Sequence, residues 1–162
     1  MKALVVYDSA YGNTEKVAQA IGQALGSPPD VEVVQVAKAE VEHLAGVKLL
    51  VVGSPTQQFR PLKTIAAYLN MIPAGHLKGI CVAAFDTRFT EQAIESTSVL
   101  AFFVRIFGYA AKRISDRLVR KGGRLVAPPM GFYVGGTQGP VLEGELERAA
   151  AWAKQVAAAC GG

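Results

Sequence analysis

The chain has 162 residues, of which 51% are hydrophobic and 19% charged, and its formal net charge is +4 at pH 7. This composition is typical of a folded globular protein and excludes an intrinsically disordered one, and the length suits a single domain over residues 1–162. The mild positive charge lacks the dense basic arm of an obligate nucleic-acid binder, and no apolar run reaches the roughly 20 residues of a transmembrane helix.

The cysteine and histidine content is low. Two cysteines are too few for a disulfide framework, and they are far apart, with Cys81 in an apolar strand and Cys160 near the C-terminal end. We therefore expect reduced thiols, and with no signal peptide ahead of the first strand we expect a cytoplasmic protein. His43 and His76 form no Cys/His cluster, so we expect no metal site.

Strand and helix patterns alternate along the chain. The predicted strands lie near residues 2–7, 31–36, 47–53, 78–85 and 124–134. The predicted helices lie near residues 13–26, 61–71, 93–121 and 141–160, the third broken near Gly108, and a short helical turn spans Val41–Leu44. The alternation predicts an α/β fold of right-handed βαβ units, a three-layer sandwich whose five-stranded parallel sheet has the order 2-1-3-4-5.

Two strands suit the edges of this sheet. The fifth contains Pro128-Pro129, which cannot donate the hydrogen bonds that a central strand needs. The second, Val31–Val36, mixes polar and apolar residues. The first strand, by contrast, is apolar from Ala3 to Tyr7, which indicates burial on both faces.

A short, hydroxyl-rich loop separates the first strand from the first helix. It consists of Ser9, Ala10, Tyr11, Gly12, Asn13 and Thr14. A strand–loop–helix unit directs backbone N–H groups and the positive end of a helix dipole at one point, which suits a phosphate. The loop has no Lys or Arg, and it lacks both the dinucleotide and the nucleoside-triphosphate glycine signatures. An ordinary polar turn is the alternative interpretation.

Two further polar loops are expected at the same edge of the sheet. They are Gly53–Arg60, after the third strand, and Asp86–Thr90, after the fourth. The carboxyl ends of parallel strands meet at one edge, where ligands bind at the topological switch point. The convergence of three such loops makes a binding site the favoured interpretation.

These residues resemble the flavodoxin family. Ser9-x-Tyr11-Gly12-Asn13-Thr14 is similar to that family's phosphate loop, Ser/Thr-x-Thr-Gly-Asn-Thr, and Gly53-Ser54-Pro55-Thr56 and the helix after Gly135-Gly136-Thr137 match in position. The resemblance implies the flavodoxin-like fold and non-covalent FMN, its phosphate in the first loop and its ring system between the other two. The implied cofactor-binding residues are Ser9, Ala10, Tyr11, Gly12, Asn13, Thr14, Ser54, Pro55, Thr56, Gln57, Phe59, Asp86, Thr87, Arg88 and Phe89.

The aromatic residues depart from the family pattern. Flavodoxins commonly stack the flavin between a Trp and a Tyr of the second and third loops, whereas the single Trp152 of this chain lies in the last predicted helix. Phe59 and Phe89 are the available substitutes, although each could equally pack beneath its own loop. Tyr11 at the loop tip resembles WrbA-type quinone reductases and the flavodoxin modules of diiron flavoproteins.

The charge is a second departure, because flavodoxins are typically acidic. Arg88, with Arg60, would stabilise an anionic reduced flavin and make its reduction potential less negative. The alternative is that Arg88 pairs with Asp86 or Glu91. A basic stripe along one predicted helix, formed by Lys112, Arg113, Arg117, Arg120, Lys121 and Arg124, is either a solvated face or a surface that steers an acidic partner.

The segment 99–107 is apolar almost all round. Four interpretations stay open for this segment, namely burial within the monomer, a homodimer contact, cover for the flavin edge and contact with a membrane surface.

These observations favour an FMN-binding electron carrier that serves redox partner proteins, some of them acidic. No nucleophile–base pair or carboxylate dyad occurs in the three loops, so we assign no catalytic residue. A small FMN-dependent NAD(P)H:quinone or nitro oxidoreductase is the second hypothesis, and a flavin-free regulatory module on the same fold is the third.

Overall fold

The computed structural model describes residues 1–57, 60–90 and 109–161. Within them, the strands are β1 Ala3–Tyr7, β2 Val31–Gln35, β3 Leu49–Pro55, β4 Cys81–Phe89, β5 Arg124–Leu125 and β6 Met130–Val134. The α-helices are α1 Asn13–Leu25, α2 Lys63–Met71, α3 Ala110–Arg120 and α4 Glu145–Gly161, and 3₁₀ turns span Val36–Lys38 and Val41–Leu44. The sheet has the order β2-β1-β3-β4-β5, which confirms the predicted α/β fold class.

The predicted fifth strand is two strands. β5 pairs with the start of β4, from Cys81 to Val82, and β6 pairs with its end, from Phe85 to Phe89, both in parallel. Residues 126–129, which include Pro128 and Pro129, separate the two. Proline offers no amide hydrogen to a ladder, so the edge strand breaks there and resumes beyond it.

The sheet separates two apolar cores. Alternate residues of β1 point to opposite faces, so that Leu4 and Val6 pack with α2 and α3 while Ala3 and Val5 pack with α1 and α4. The central strands β1, β3 and β4 are almost fully buried, whereas β2 is only partly buried, as its mixed composition predicted. This two-sided burial fixes the carboxyl edge of the sheet as a rigid platform.

The expectation of two reduced thiols is wrong. Cys81, the first residue of β4, and Cys160, in the last turn of α4, form a disulfide with their Cα atoms 5.8 Å apart. Spacing along the chain gave no sign of it because the residues are 79 positions apart and meet only when α4 packs back on the sheet. Disulfides persist mainly in oxidising compartments, so the thiols no longer support the expected cytoplasmic location.

β4 continues through Phe89, so most of the predicted third loop is strand that pairs with β6. The apolar segment 99–107, with the homodimer contact predicted for it, lies outside the described residues. Among the described residues, no helix is both long and apolar enough to cross a membrane.

Candidate functional site

A cavity of about 330 Å³ opens at the carboxyl edge of the sheet. Its lining comes from the ends of β1, β3, β4 and β6 and comprises Ser9, Ala10, Tyr11, Asn13, Thr14, Pro55, Thr56, Gln57, Thr87, Phe89, Gly136 and Thr137. Within the described chain, this lining has hydroxyl, amide and aromatic groups but no charged side chain. The volume lies in the range of small-molecule sites.

The first loop turns sharply into α1. Its hinge is Gly12, whose φ of 88° is left-handed, a conformation that residues with a side chain rarely adopt. The hydroxyl of Ser9 accepts the Gly12 N–H at 2.9 Å, and the carboxylate of Asp8 accepts the Ser9 N–H at 2.8 Å. Asp8 also accepts the Thr64 hydroxyl at 2.5 Å, so it orders the loop from outside the cavity.

The N-terminus of α1 is buried yet has no side-chain cap from the residues that the structure describes. Asn13 and Thr14, its first two residues, are only 8% and 1% exposed. The first N–H groups of a helix have no partner inside the helix, and a buried helix end therefore needs another acceptor. Together with the helix dipole, these N–H groups favour an anion at this point.

Two tertiary contacts hold that helix end in place. The hydroxyls of Thr14 and Thr87 are hydrogen-bonded at 2.9 Å, which ties α1 to β4. Gly139 presses against the Asn13 amide so closely that a Cβ there would lie 2.5 Å from Asn13 Oδ1. The cavity floor is thus formed by residues from distant parts of the chain.

The second loop contributes fewer lining residues than the resemblance implied. Pro55, Thr56 and Gln57 line the cavity. Ser54 is fully buried, and its hydroxyl accepts the Leu62 N–H at 2.8 Å, so it holds the start of α2 instead. Phe59 lies outside the described residues.

The end of β4 divides its side chains between two faces. Thr87 and Phe89 line the cavity, while Asp86 and Arg88 lie on the α3 side, where two Arg88 nitrogens bind the Asp86 carboxylate at 2.6 and 2.7 Å. Asp86 also accepts the Ala111 N–H at 2.9 Å, at the start of α3. Burial raises the pKa of Asp86 above its usual value, and the bonds to Arg88 and Ala111 offset part of that rise. Arg88 therefore pairs with Asp86, one of the two alternatives considered from the sequence.

Sequence reasoning missed Gly136 and Thr137 as lining residues. They belong to a tight turn after β6, closed by the Gly135 N–H to Pro140 carbonyl bond of 2.9 Å and the Gly139 N–H to Gly136 carbonyl bond of 3.0 Å. The strand-end rule that selected the other loops applies here too, since this Gly-Gly-Thr run follows a strand of the same parallel sheet.

A sequence model of the family described as flavodoxin matches residues 5–152. The chain belongs to the flavodoxin family. Membership implies a flavin cofactor, and the anion-favouring, uncharged cavity fits the phosphate end of such a group.

Solved flavodoxins share the fold. A flavodoxin from the domain Archaea superposes over 100% of both chains with a TM-score of 0.77 at 22% identity. Flavodoxin 2 from Bacillus cereus superposes with a TM-score of 0.72 at 24% identity, over 98% of this chain and 99% of its own. At these identities the likeness concerns the fold alone.

A curated relative carries a different activity in its name. It is the NAD(P)H dehydrogenase (quinone) of Cupriavidus metallidurans, 30% identical over 115 residues. The match spans 58% of this chain and 58% of the relative.

Proposed function

We propose that this protein binds FMN non-covalently and carries electrons between redox partner proteins. The observation that supports this most directly is the buried, uncapped N-terminus of α1 facing a cavity with no charged side chain in its described lining. A dianionic phosphate would accept hydrogen bonds from the N–H groups that the fold leaves without a side-chain cap.

In this proposal each loop has a separate task. The loop from Ser9 to Thr14 holds the phosphate through main-chain N–H groups and hydroxyls. Pro55–Gln57 and Thr87 border the ring system, and Tyr11 and Phe89, 53% and 38% exposed, are aromatic candidates for its cover. Bound FMN would supply one- and two-electron redox chemistry, while the protein supplies position and electrostatics.

The test compares FMN with riboflavin, which lacks the phosphate. Thr14→Val removes a hydroxyl at the helix end, and the loss of a hydrogen bond to a charged group weakens FMN binding by roughly 10- to 100-fold. Riboflavin affinity should fall much less, because riboflavin brings no phosphate to this end and loses only the support of the Thr14–Thr87 hydrogen bond. Isothermal calorimetry on wild type and variant measures both ligands.

Two results would contradict the proposal. One is wild-type protein that takes up no FMN, which would favour the flavin-free regulatory module. The other is an equal loss of FMN and riboflavin affinity in Thr14→Val, which would mean that this helix end makes no specific contact with the phosphate.

The second candidate is an FMN-dependent NAD(P)H:quinone oxidoreductase. It is favoured by the name of the curated relative and by the loop-tip aromatic Tyr11. The half-length match leaves the relative's activity a hypothesis for this chain.

A further inference from the structure

A second and larger cavity lies beside the first. It has a volume of about 1040 Å³ and runs between α2 and α3 on the opposite side of the sheet from α1. It is lined by Asp8, Gln57, Arg60, Pro61, Leu62, Lys63, Thr64, Ala66, Lys112, Arg113, Asp116, Arg117 and Arg120. We call it the basic groove, because six of these side chains are Arg or Lys and two are Asp.

Both acidic side chains of the basic groove are already engaged. Asp116 pairs with Lys112 at 3.0 Å, and Asp8 accepts hydrogen bonds from Ser9 and Thr64. In the described part of the chain, the other five basic residues have no carboxylate within ion-pair distance. Among the described residues, Arg117 reaches only the carbonyl of Ala66, at 3.4 Å, and the buried Nε of Arg113 has no hydrogen-bond partner. The groove therefore holds uncompensated positive charge.

The basic groove adjoins the proposed cofactor cavity. Gln57 lines both, and Asp8 and Ser9, neighbours in the chain, line one each. An acidic molecule lying in the groove would therefore be next to the cavity mouth. Charge placed there steers association more than it adds affinity.

The lining indicates the kind of occupant. Small-molecule sites are mostly apolar with a few fixed polar groups. Six of the thirteen residues that line the groove are long cationic side chains, of which Arg60, Lys63, Lys112 and Arg120 are exposed. Such flexible, solvated charges are typical of the polar rim of a transient protein interface.

We propose that the basic groove is the docking surface for an acidic partner protein, which it brings to the cofactor cavity. The inference rests on the proposed electron-carrier function, because electron transfer is what requires a partner protein to dock beside the cofactor cavity. The proposed docking surface is positively charged, whereas flavodoxins are typically acidic.

The experiment compares two double variants with the same change in net charge. Lys63→Gln with Arg120→Gln alters the groove at two exposed side chains that make no ion pair in the described chain. Lys48→Gln with Lys154→Gln is the control, because these exposed lysines lie outside the groove, before β3 and on α4.

The first readout needs no cofactor. Binding of poly-L-glutamate at low ionic strength should weaken about 3- to 10-fold in the groove variant and less than twofold in the control. Added salt should abolish the difference. Equal weakening in both variants would overturn the proposal, since it would mean that net charge alone attracts the probe.

The second readout uses FMN-loaded, chemically reduced protein and two haem-protein acceptors, acidic cytochrome b5 and basic cytochrome c. We expect the groove variant to slow transfer to cytochrome b5 at low salt by a similar factor, and not to slow transfer to cytochrome c. Unchanged transfer to cytochrome b5 would overturn docking at this site. A third probe is inorganic pyrophosphate. Docking would also be overturned if the wild type bound pyrophosphate tightly and the groove variant, but not the control, lost that binding while poly-L-glutamate binding stayed unchanged. That result would favour a small-ligand pocket.

The proposed function fails separately, through absent FMN uptake. The poly-L-glutamate comparison would still test the docking surface in that case, because it needs no FMN.

Discussion

Asp86 carries a carboxylate that is completely buried, at a position where the sequence suggested a cofactor loop. The structure explains how the fold accommodates it. Arg88 binds both oxygens and stacks over the Tyr109 ring at 3.5 Å, and Ala111 donates its N–H. Burying a charge is costly unless it is paired and hydrogen-bonded, so this residue depends on its partner.

Replacing Arg88 tests that dependence. Arg88→Ala should lower the free energy of unfolding by about 3 kcal/mol at pH 7, because it leaves Asp86 as an unpaired buried charge. The variant should recover stability as the pH falls toward about 4. Its Asp86 pKa is raised in the folded state, so protonation removes the charge there before it does so in the unfolded chain. Urea unfolding across this pH range is the measurement.

The double variant Arg88→Ala with Asp86→Asn is the control. It has no ionisable group at position 86, so it should lose less stability and should not regain it at low pH. Identical pH profiles for the single and double variants would show that Asp86 is not the responsible group.

At the scale of elements, α4 is held to the sheet at both ends. At its start, Glu145 accepts the Tyr133 N–H at 2.7 Å and pairs with Arg148 at 2.7 Å. Burial raises the pKa of Glu145, but the bonds to Arg148 and Tyr133 together lower it by a larger amount, so the net shift of this pKa is downward. At its end, Cys160 is bonded to Cys81 of β4. The turn that carries Gly136 and Thr137 precedes α4, so this anchoring also positions part of the cavity.

The disulfide gives a stability prediction. Cys160→Ser should reduce the free energy of unfolding by about 2 to 4 kcal/mol under oxidising conditions, because the crosslink closes a long loop in the unfolded chain. Thermal or urea unfolding measures it. Adding a reductant should bring wild type down to the level of the variant. A wild-type protein that is insensitive to the reductant would contradict the crosslink's role.

At the scale of the whole molecule, the fold brings four separate segments to one cavity. Ser9–Thr14, Pro55–Gln57, the end of β4 and the Gly136-Thr137 turn meet there only because the strands are parallel and adjacent. The cavity, of about 330 Å³, is at the small end of the range of ligand sites.

The distinction between a carrier and an oxidoreductase can be measured directly. FMN-loaded protein should oxidise NADPH with a quinone no faster than free FMN does, because a carrier needs a separate reductase. Steady-state absorbance at the NADPH band is the assay. A quinone-dependent rate of NADPH oxidation well above that of free FMN would favour the oxidoreductase. Loss of that rate in the Lys63→Gln, Arg120→Gln variant would indicate that NADPH binds in the basic groove.

The strand order and the first loop could both be predicted from the amino-acid sequence. Apolar runs such as Ala3–Tyr7, the helix-forming spacing after Asn13 and the turn residue Gly12 act over a few neighbours, so they can be recognised in the chain. The position of the proline pair likewise predicted an edge strand. These short-range signals were sufficient for the fold class and for the location of the cavity.

The contacts between distant segments could not be predicted and became known from the three-dimensional packing. The length of β4 depends on pairing with β6, and that length puts Thr87 in the cavity but Asp86 on the other face. Likewise, Cys81 meets Cys160, and the basic residues of α3 meet Lys63, through packing across the sheet. Such contacts depend on register and on how whole elements pack, which no local pattern encodes.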